Sequence, residues 1–398
     1  MDFQLEATKQ SIVNRVREYV DRELIPLETA FLQSGLGPLL PVLRGKRVEV
    51  KKLGLWGPIY PHEHGGLGLD LITHGLISEA LGRCPLAHYV FGCNAPDAGN
   101  VELLHEFGSP EQKKRWLKPL VAGEIRSCFG MTEPGNSGAN PLMLETSAVL
   151  EGESWVLNGR KWFTTGADGS SVCIVMAITD PDRAPHERAS MFLVPTDSAG
   201  YRLLCNTPVM GNPGTDLFSH GEIAFENCRI PVDQLLGPRG SGFRLAQSRL
   251  GPGRIHHCMR WLGICERALA MMIERAATRV IDPDGRRLGD SDIVRAWIAE
   301  SVAEVRAARL LVLHTAWRIG KAGAKAARDD IGIIKFHVAG VLQRVVDRAL
   351  QVHGGLGMTD YTLLAWFYRE ERAARIYDGP DEVHKISVAK RLLRNHAG

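Results

Sequence analysis

Apolar residues change their spacing twice along this chain, and the changes divide it. Up to about residue 125 they recur at near-helical intervals, as in Leu5, Ile12, Val16 and Val20, and residues 71–82, 98–107 and 110–121 form further short helical candidates. Ser109-Pro110-Glu111-Gln112 places an N-cap serine and a first-turn proline ahead of the last of these. From about 126 to 235 the period falls to two and β-branched or aromatic residues become frequent. Trp155-Val156-Leu157, Asn158-Gly159 and Arg160 to Thr165 read as a hairpin, because Asn-Gly accepts the positive φ angles of a tight turn. Further strands are predicted at 172–179, 190–196, 201–208 and 220–229. A Gly/Pro-rich linker, Leu236 to Gly242, then returns the chain to long amphipathic helices near 243–279, 291–321, 328–353, 360–375 and 381–395.

This order predicts a mainly α protein with a central antiparallel β-domain. An N-terminal helical domain (1–125) and a middle β-domain (126–236) precede a C-terminal four-helix bundle with a trailing helix (237–398). A length of 398 residues agrees with two or three domains. No internal repeat or low-complexity segment interrupts them.

Composition narrows the function classes. At 44% hydrophobic and 23% charged residues the chain is of ordinary globular type, with no apolar run long enough for a bilayer. The net charge of +3 creates no general field for nucleic acid. Met1 to Glu6 is acidic and polar where a signal peptide is basic and then apolar, so a soluble protein, cytoplasmic if bacterial, is expected. The eight cysteines form no C-x-x-C pair and read as buried thiols. No metal site is expected: His62-Glu63-His64 lies in a Gly/Pro-rich loop, and adjacent His256 and His257 on a helix face different directions.

Walker, Rossmann G-x-G-x-x-G, G-x-S-x-G and H-E-x-x-H motifs are all missing. The remaining candidates have ordinary readings when taken singly. Asp378-Gly379-Pro380 is a turn between helices, Gln351 to Gly357 a helix C-cap, and Thr132 to Gly138 a loop. Trp162 and Thr164 alternate along a strand, and Arg254 and Arg279 begin and end a helical stretch.

Together, in order, these stretches resemble the acyl-CoA dehydrogenase family from end to end. The likeness rests on Tyr60 to Gly68, Met131 to Gly135 (M-T-E-P-G), Asn158 to Gly166, Gln351 to Gly357 and Ile376 to Gly379. Arg249 to His257 and Asp378 to His384 resemble one subgroup, whose mammalian members carry a kinase-like domain and a long- or branched-chain acyl-CoA dehydrogenase. This chain corresponds to the dehydrogenase part of such a protein.

The resemblance implies FAD as cofactor and Asp378 as the base that removes the substrate α-proton. It implies that Phe129, Met131 and Thr132 line the flavin ring, with Ser137 and Gly138 following them. Trp162 lies against the ring and Thr164 hydrogen-bonds near it. Arg279 reaches the pyrophosphate of a neighbouring subunit's FAD, while Gln351, Gly354 and Gly355 contact the adenine half. Pro380 and Glu382 touch the cofactor, and Arg254 and Gly379 lie at the substrate. The implied partners are an acyl-CoA, an electron-transfer flavoprotein and further copies of the chain, as a homodimer or homotetramer. Two other readings stand beside this one: an acyl-CoA oxidase on the same fold, and a non-catalytic or partner-dependent flavoprotein subunit.

The sequence also departs from the family pattern. Aspartate replaces a frequent glutamate at 378, and Gly138 stands where a serine is common. Asp282-Pro283-Asp284-Gly285 has the look of an insertion close to the flavin contacts expected at Ser291 and Asp292.

Overall fold

A computed structural model describes residues 4–396, leaving the side chains of 249–252, 395 and 396 undescribed. Met1 to Phe3 of the N-terminal stretch and the side chains of Arg249 to Pro252 therefore lie outside the described residues. The chain divides into two compact units: residues 1–58, 69–90 and 251–398 form one, and 59–68 with 91–250 the other.

The first unit is helical. Its centre is helix Arg328–His353, whose buried Ile331, Ile334, Val338, Leu342, Val345 and Val352 form a helical stripe. Helices Asp292–Ala326, Leu363–Glu371 and Asp381–His396 pack around it. Helix Leu71–Gly82 crosses Gly242–Thr278 very closely, and glycines permit the approach: a Cβ on Gly82 would meet the Arg260 carbonyl, and one on Gly263 the Glu79 carbonyl. Asp70 caps helix Leu71–Gly82 by accepting from the Ile72 and Thr73 N–H groups. Helix Leu40–Lys52, which is not among the helices that spacing predicts, buries Leu43, Arg47 and Val50, a helical stripe with an arginine in it.

Two helices contain wide turns, Val20–Leu24 and Lys113–Leu117, and each precedes a proline (Pro26, Pro119) by two residues. Proline lacks the N–H for the regular ladder and its ring crowds the preceding turn, which accounts for the widening. The helix expected over 110–121 is consequently formed in three pieces, Pro110–Gln112, Lys113–Leu117 and Lys118–Ala122, and begins with a capping box between Ser109 and Gln112.

The second unit holds one sheet of eight strands: β1 (Ser127–Gly130), β2 (Ser147–Glu151), β3 (Ser154–Thr165), β4 (Val172–Ile178), β5 (Ala189–Pro195), β6 (Tyr201–Asn206), β7 (His220–Pro231) and β8 (Leu235–Leu236). The order is β6-β7-β3-β2-β4-β5-β8, with β1 against β4. Most pairs are antiparallel, as predicted; β1–β4 and the single β2–β4 pairing are parallel. Strand β4 is buried on both faces, which explains its unbroken apolar run. Val172, Ile174 and Met176 join Leu104, Trp116 and Leu120 in one core, while Cys173, Val175 and Ala177 join Trp155, Phe225 and Ile230 in another.

The Asn158-Gly159 hairpin is not formed. Both residues lie inside the continuous strand β3, at a bulge opposite β7. The Asn158 side chain bonds Asn227 across the strands, and a Cβ on Gly159 would meet Thr146 Oγ1 at 2.5 Å. The turn is instead at Gly152, between β2 and β3. Asn-Gly thus provides a bulge in place of a turn, because β3 has a partner along both edges. All eight cysteines are free thiols and seven are buried; Cys205, on strand β6, is exposed.

Candidate active site

In the helical unit the candidate base lies in a tightly held turn. The segment between Arg375 and helix Asp381–His396 reverses direction by placing Asp378 at φ 54° and Gly379 at φ 94°. A left-handed aspartate followed by a left-handed glycine is costly, and surrounding contacts must hold it. The Asp378 carbonyl accepts from Arg254 Nη2 at 3.3 Å and lies 3.0 Å from His384 Nε2. Burial, chiefly, and the nearby Arg254 charge push the His384 pKa down to about 4, so the ring is neutral at pH 7 and Nε2 carries the donated proton. The Gly379 carbonyl accepts from Lys335 Nζ at 2.6 Å, and a Cβ on Gly379 would meet the His384 ring at 2.8 Å.

One residue earlier, the Tyr377 hydroxyl accepts from Arg260 Nη2 (2.9 Å) and Trp261 Nε1 (3.0 Å). Arg260 in turn pairs with buried Glu371. Just beyond the turn, Arg375 Nε donates to Asp381 at 2.7 Å.

The carboxylate itself faces His257, with Nε2 3.4 Å from Asp378 Oδ2. The two adjacent histidines do face different ways. His256 is buried, 2.6 Å from Ser78 Oγ and 3.3 Å from His74 Nε2, while His257 faces the candidate base. In the sequence, only its spacing from Arg254, one helical turn away, connects His257 with the site. Arg254 is inside helix Gly242–Thr278, not at its start. Burial lowers its pKa, partly opposed by Asp378, and its Nε has no hydrogen-bond partner among the described residues.

Pro380 and exposed Glu382 occupy the start of the following helix. Gln351, Gly354 and Gly355 form an exposed helix end, with Gly354 at φ 60° and open space about both glycines. Arg279 is also exposed, beyond the end of helix Gly242–Thr278. Residues 282–285 form a tight turn between Val280 and Arg287, with Gly285 N bonded to the Asp282 carbonyl, and Ser291 and Asp292 begin the next helix.

In the sheet unit, β1 carries Phe129, the loop after it Met131 and Thr132, and the distal part of β3 Trp162 and Thr164; hydrogen bonds join that loop to β3. Trp162 N donates to the Thr132 carbonyl at 3.0 Å, and Lys161 Nζ to the Met131 carbonyl at 3.0 Å. Lys161 and Glu133, both buried, meet at 2.7 Å. Glu133 also accepts from Glu145 N, Thr146 N and Asn136 Nδ2, so one carboxylate ties the loop to β3 and to the residues leading into β2. Neither Glu133 nor Lys161 was singled out from the sequence; a lysine at an inward strand position was the visible clue. Between Lys161 and Thr164 the β3–β7 register shifts, and Phe163 takes φ 48°, so plain alternation does not relate Trp162 to Thr164.

Two buried polar atoms at this bulge, Trp162 Nε1 and Thr164 Oγ1, have no partner among the described residues. A small hollow within the segment that follows β1 is lined by Met131, Thr132, Asn136, Ser137 and Gly138. Ser137 and Gly138 are exposed, and a Cβ at 138 would press on Thr132 Cγ2 at 2.9 Å, a reason for glycine where serine is frequent. Buried polar groups normally find partners. A bound group offering polar atoms at the sheet edge, as a flavin ring does, fits these two positions.

The chain matches the family models for the acyl-CoA dehydrogenase N-terminal domain over residues 6–124, the middle domain over 128–228 and the C-terminal domain over 240–393. It therefore belongs to the acyl-CoA dehydrogenase family, and it is an oxidoreductase acting on acyl-CoA. It is 41% identical to the "Probable acyl-CoA dehydrogenase FadE2" of Mycobacterium tuberculosis, over 99% of this chain and 97% of that one. Acyl-CoA dehydrogenase family member 11 of Rattus norvegicus is 37% identical over 98% of this chain, which spans 51% of the rat protein. A solved structure from Mycobacterium abscessus, a suggested acyl-CoA dehydrogenase, superposes with TM-score 0.94 at 37% identity, covering 99% of this chain and all of that one. Among the described residues no helix is long and apolar enough to cross a membrane.

Proposed function

We propose that this chain oxidises the α,β carbon–carbon bond of a fatty acyl-CoA to the trans-2-enoyl-CoA, with FAD as cofactor and Asp378 as base. The observation that carries the reading is the strained, multiply anchored turn that presents Asp378 beside His257. The α-proton of a thioester is weakly acidic, so its removal requires donors at the thioester oxygen where enolate charge develops. The Asp378 backbone N–H is the donor this chain supplies, and its carboxylate takes the proton. FAD, when bound, accepts the β-hydride. Anchoring the carbonyls of residues 378 and 379 fixes the backbone from which both the N–H and the carboxylate project.

Trp162, Thr164, Phe129, Met131, Thr132, Ser137 and Gly138 would hold the flavin end, and Trp162 Nε1 and Thr164 Oγ1 support that assignment because both are buried without partners among the described residues. Arg254 and Gly379 serve the substrate, and Pro380 and Glu382 the cofactor. Arg279, Gln351, Gly354 and Gly355, all exposed, are assigned to FAD contacts shared with a neighbouring copy in a homodimer or homotetramer. The electrons pass to an electron-transfer flavoprotein. Aspartate is about 1.5 Å shorter than glutamate, so the substrate Cα must approach the 378 backbone more closely.

The test is an anaerobic titration of the flavin-loaded protein with straight, branched and 4-hydroxy acyl-CoAs. Bleaching of the flavin band by one class is expected. In Asp378→Asn, flavin should be retained while the bleaching rate falls by about 10² to 10⁴. Wild-type bleaching in that variant would remove Asp378 as the base, and rapid reoxidation by air would favour an oxidase.

A further inference from the structure

The loop Tyr60–Gly68 offers chemistry that the dehydrogenation reaction does not use. Its short turn His62–His64 presents two imidazoles differently. His62 is occupied within the loop: Nδ1 lies 3.1 Å from the Gly66 carbonyl, and Gly68 abuts its ring. His64 instead meets His105, near the end of helix Asp97–Phe107 in the same unit, with Nε2 and Nδ1 2.8 Å apart. Glu63 Oε1 lies 3.4 Å from each of these nitrogens.

We infer that Glu63, His64 and His105 form a binding site for one divalent transition-metal ion of the zinc class, with water as the fourth ligand. Zinc–nitrogen and zinc–oxygen bonds of about 2.0–2.2 Å place the ligand atoms of a tetrahedral site about 3.3–3.5 Å apart. Two of the three separations already match, and the third needs only about half an ångström of side-chain movement. Two imidazoles and a carboxylate suit zinc better than magnesium or calcium, which take oxygen ligands.

Zinc takes an unprotonated ring nitrogen from each histidine and an ionised carboxylate, so its binding releases the proton shared by the two rings. Lys113 also acts on His64 and opposes a cation, whereas Glu63 favours one. Access is open: the side chains of Glu63, His64 and His105 are 65%, 23% and 39% exposed. The histidine–histidine hydrogen bond is the competing state, and zinc displaces its proton.

Calorimetric titration of zinc chloride into the purified full-length, flavin-containing protein, stripped with EDTA beforehand, tests the site. One equivalent should bind with micromolar affinity. Glu63→Gln should weaken it about tenfold, and His64→Ala and His105→Ala should each abolish it. No stoichiometric zinc uptake by the wild type, or unchanged one-site binding in both histidine variants, would overturn the inference. Thermal midpoints and flavin spectra of the metal-free variants, unchanged from wild type, separate lost ligation from lost folding. The outcome is independent of the dehydrogenase reading, since none of the three residues is assigned to acyl-CoA or FAD.

Discussion

Each compact unit contains a buried lysine paired with a buried carboxylate and bonded to the backbone of a candidate site segment. In the sheet unit Lys161 meets Glu133 at 2.7 Å and also holds the Met131 carbonyl. In the helical unit Lys335 holds the Gly379 carbonyl, but Asp381 Oδ1 is 3.7 Å away, close enough for attraction and too far for a hydrogen bond. Glu133 depends on Lys161 for its neutralising charge, while Asp381 has Arg375 as well. The first pair is thus a closed lock on a loop. The second is a brace for the turn that carries the proposed base, with its carboxylate shared. Removing the lysine should chiefly damage folding in one case and catalysis in the other.

The largest effect is expected from Lys161→Met, which leaves Glu133 ionised and buried without its cation. Breaking such a pair costs about 3–5 kcal/mol, measurable by urea denaturation of the purified protein. If Lys161→Met lowered stability no more than Lys335→Met, the distinction between lock and brace would fail.

Acid should open the same lock. Burial pushes the Glu133 pKa up, but Lys161 and the converging N–H donors outweigh it and bring it down to about 2. Glu133 therefore binds its proton later in the folded chain than in the unfolded chain. Its contribution is present above the ordinary glutamate value near 4.5 and is lost as pH falls from there towards 2. Roughly 3 kcal/mol should disappear across that window, and Glu133→Gln should flatten that part of the stability–pH curve.

Sequence patterning captured what is local. The long helices of the C-terminal third carry their own period, and strands β4, β5 and β7 stand out as short apolar or partly alternating runs, so all are legible locally. Asn158-Gly159 misled because a dipeptide that permits positive φ serves a bulge as readily as a turn, and only the second neighbour of β3 decides between them. Glu133–Lys161 and His64–His105 join residues far apart in sequence, so no local window contains either pair. The candidate site was legible through resemblance of whole segments. Its supports, Lys335, His384 and His257, were not, because each acts on Asp378 or Gly379 from another helix or another turn.

Lys335→Met addresses the brace. Methionine fills the same slot, and Asp381 keeps Arg375, so the stability loss should be smaller than for Lys161→Met. The Gly379 carbonyl loses a charged donor worth about 1.5–3 kcal/mol. If that bond maintains the geometry at 378, flavin reduction by acyl-CoA should slow by about 10- to 100-fold with flavin affinity unchanged. Stopped-flow reduction beside a flavin-binding titration separates the two. A rate equal to wild type would show that Arg254 and His384 hold the turn without Lys335.

The smallest effect is also the most diagnostic of the two regions' different states. The Asp378 turn has partners within the chain, whereas Thr164 Oγ1 is buried with none among the described residues. Thr164→Val replaces that hydroxyl by a methyl of similar shape. In flavin-free protein it removes an unsatisfied polar atom, so stability should be unchanged or slightly higher. In flavin-loaded protein it removes a hydrogen bond worth about 0.5–1.5 kcal/mol, so FAD should dissociate up to about tenfold more readily. Opposite signs in the two states are the signature of a polar group reserved for a ligand. Equal destabilisation of both would instead mark Thr164 as a structural residue, and the unpartnered atoms at the β3 bulge would no longer support a flavin there.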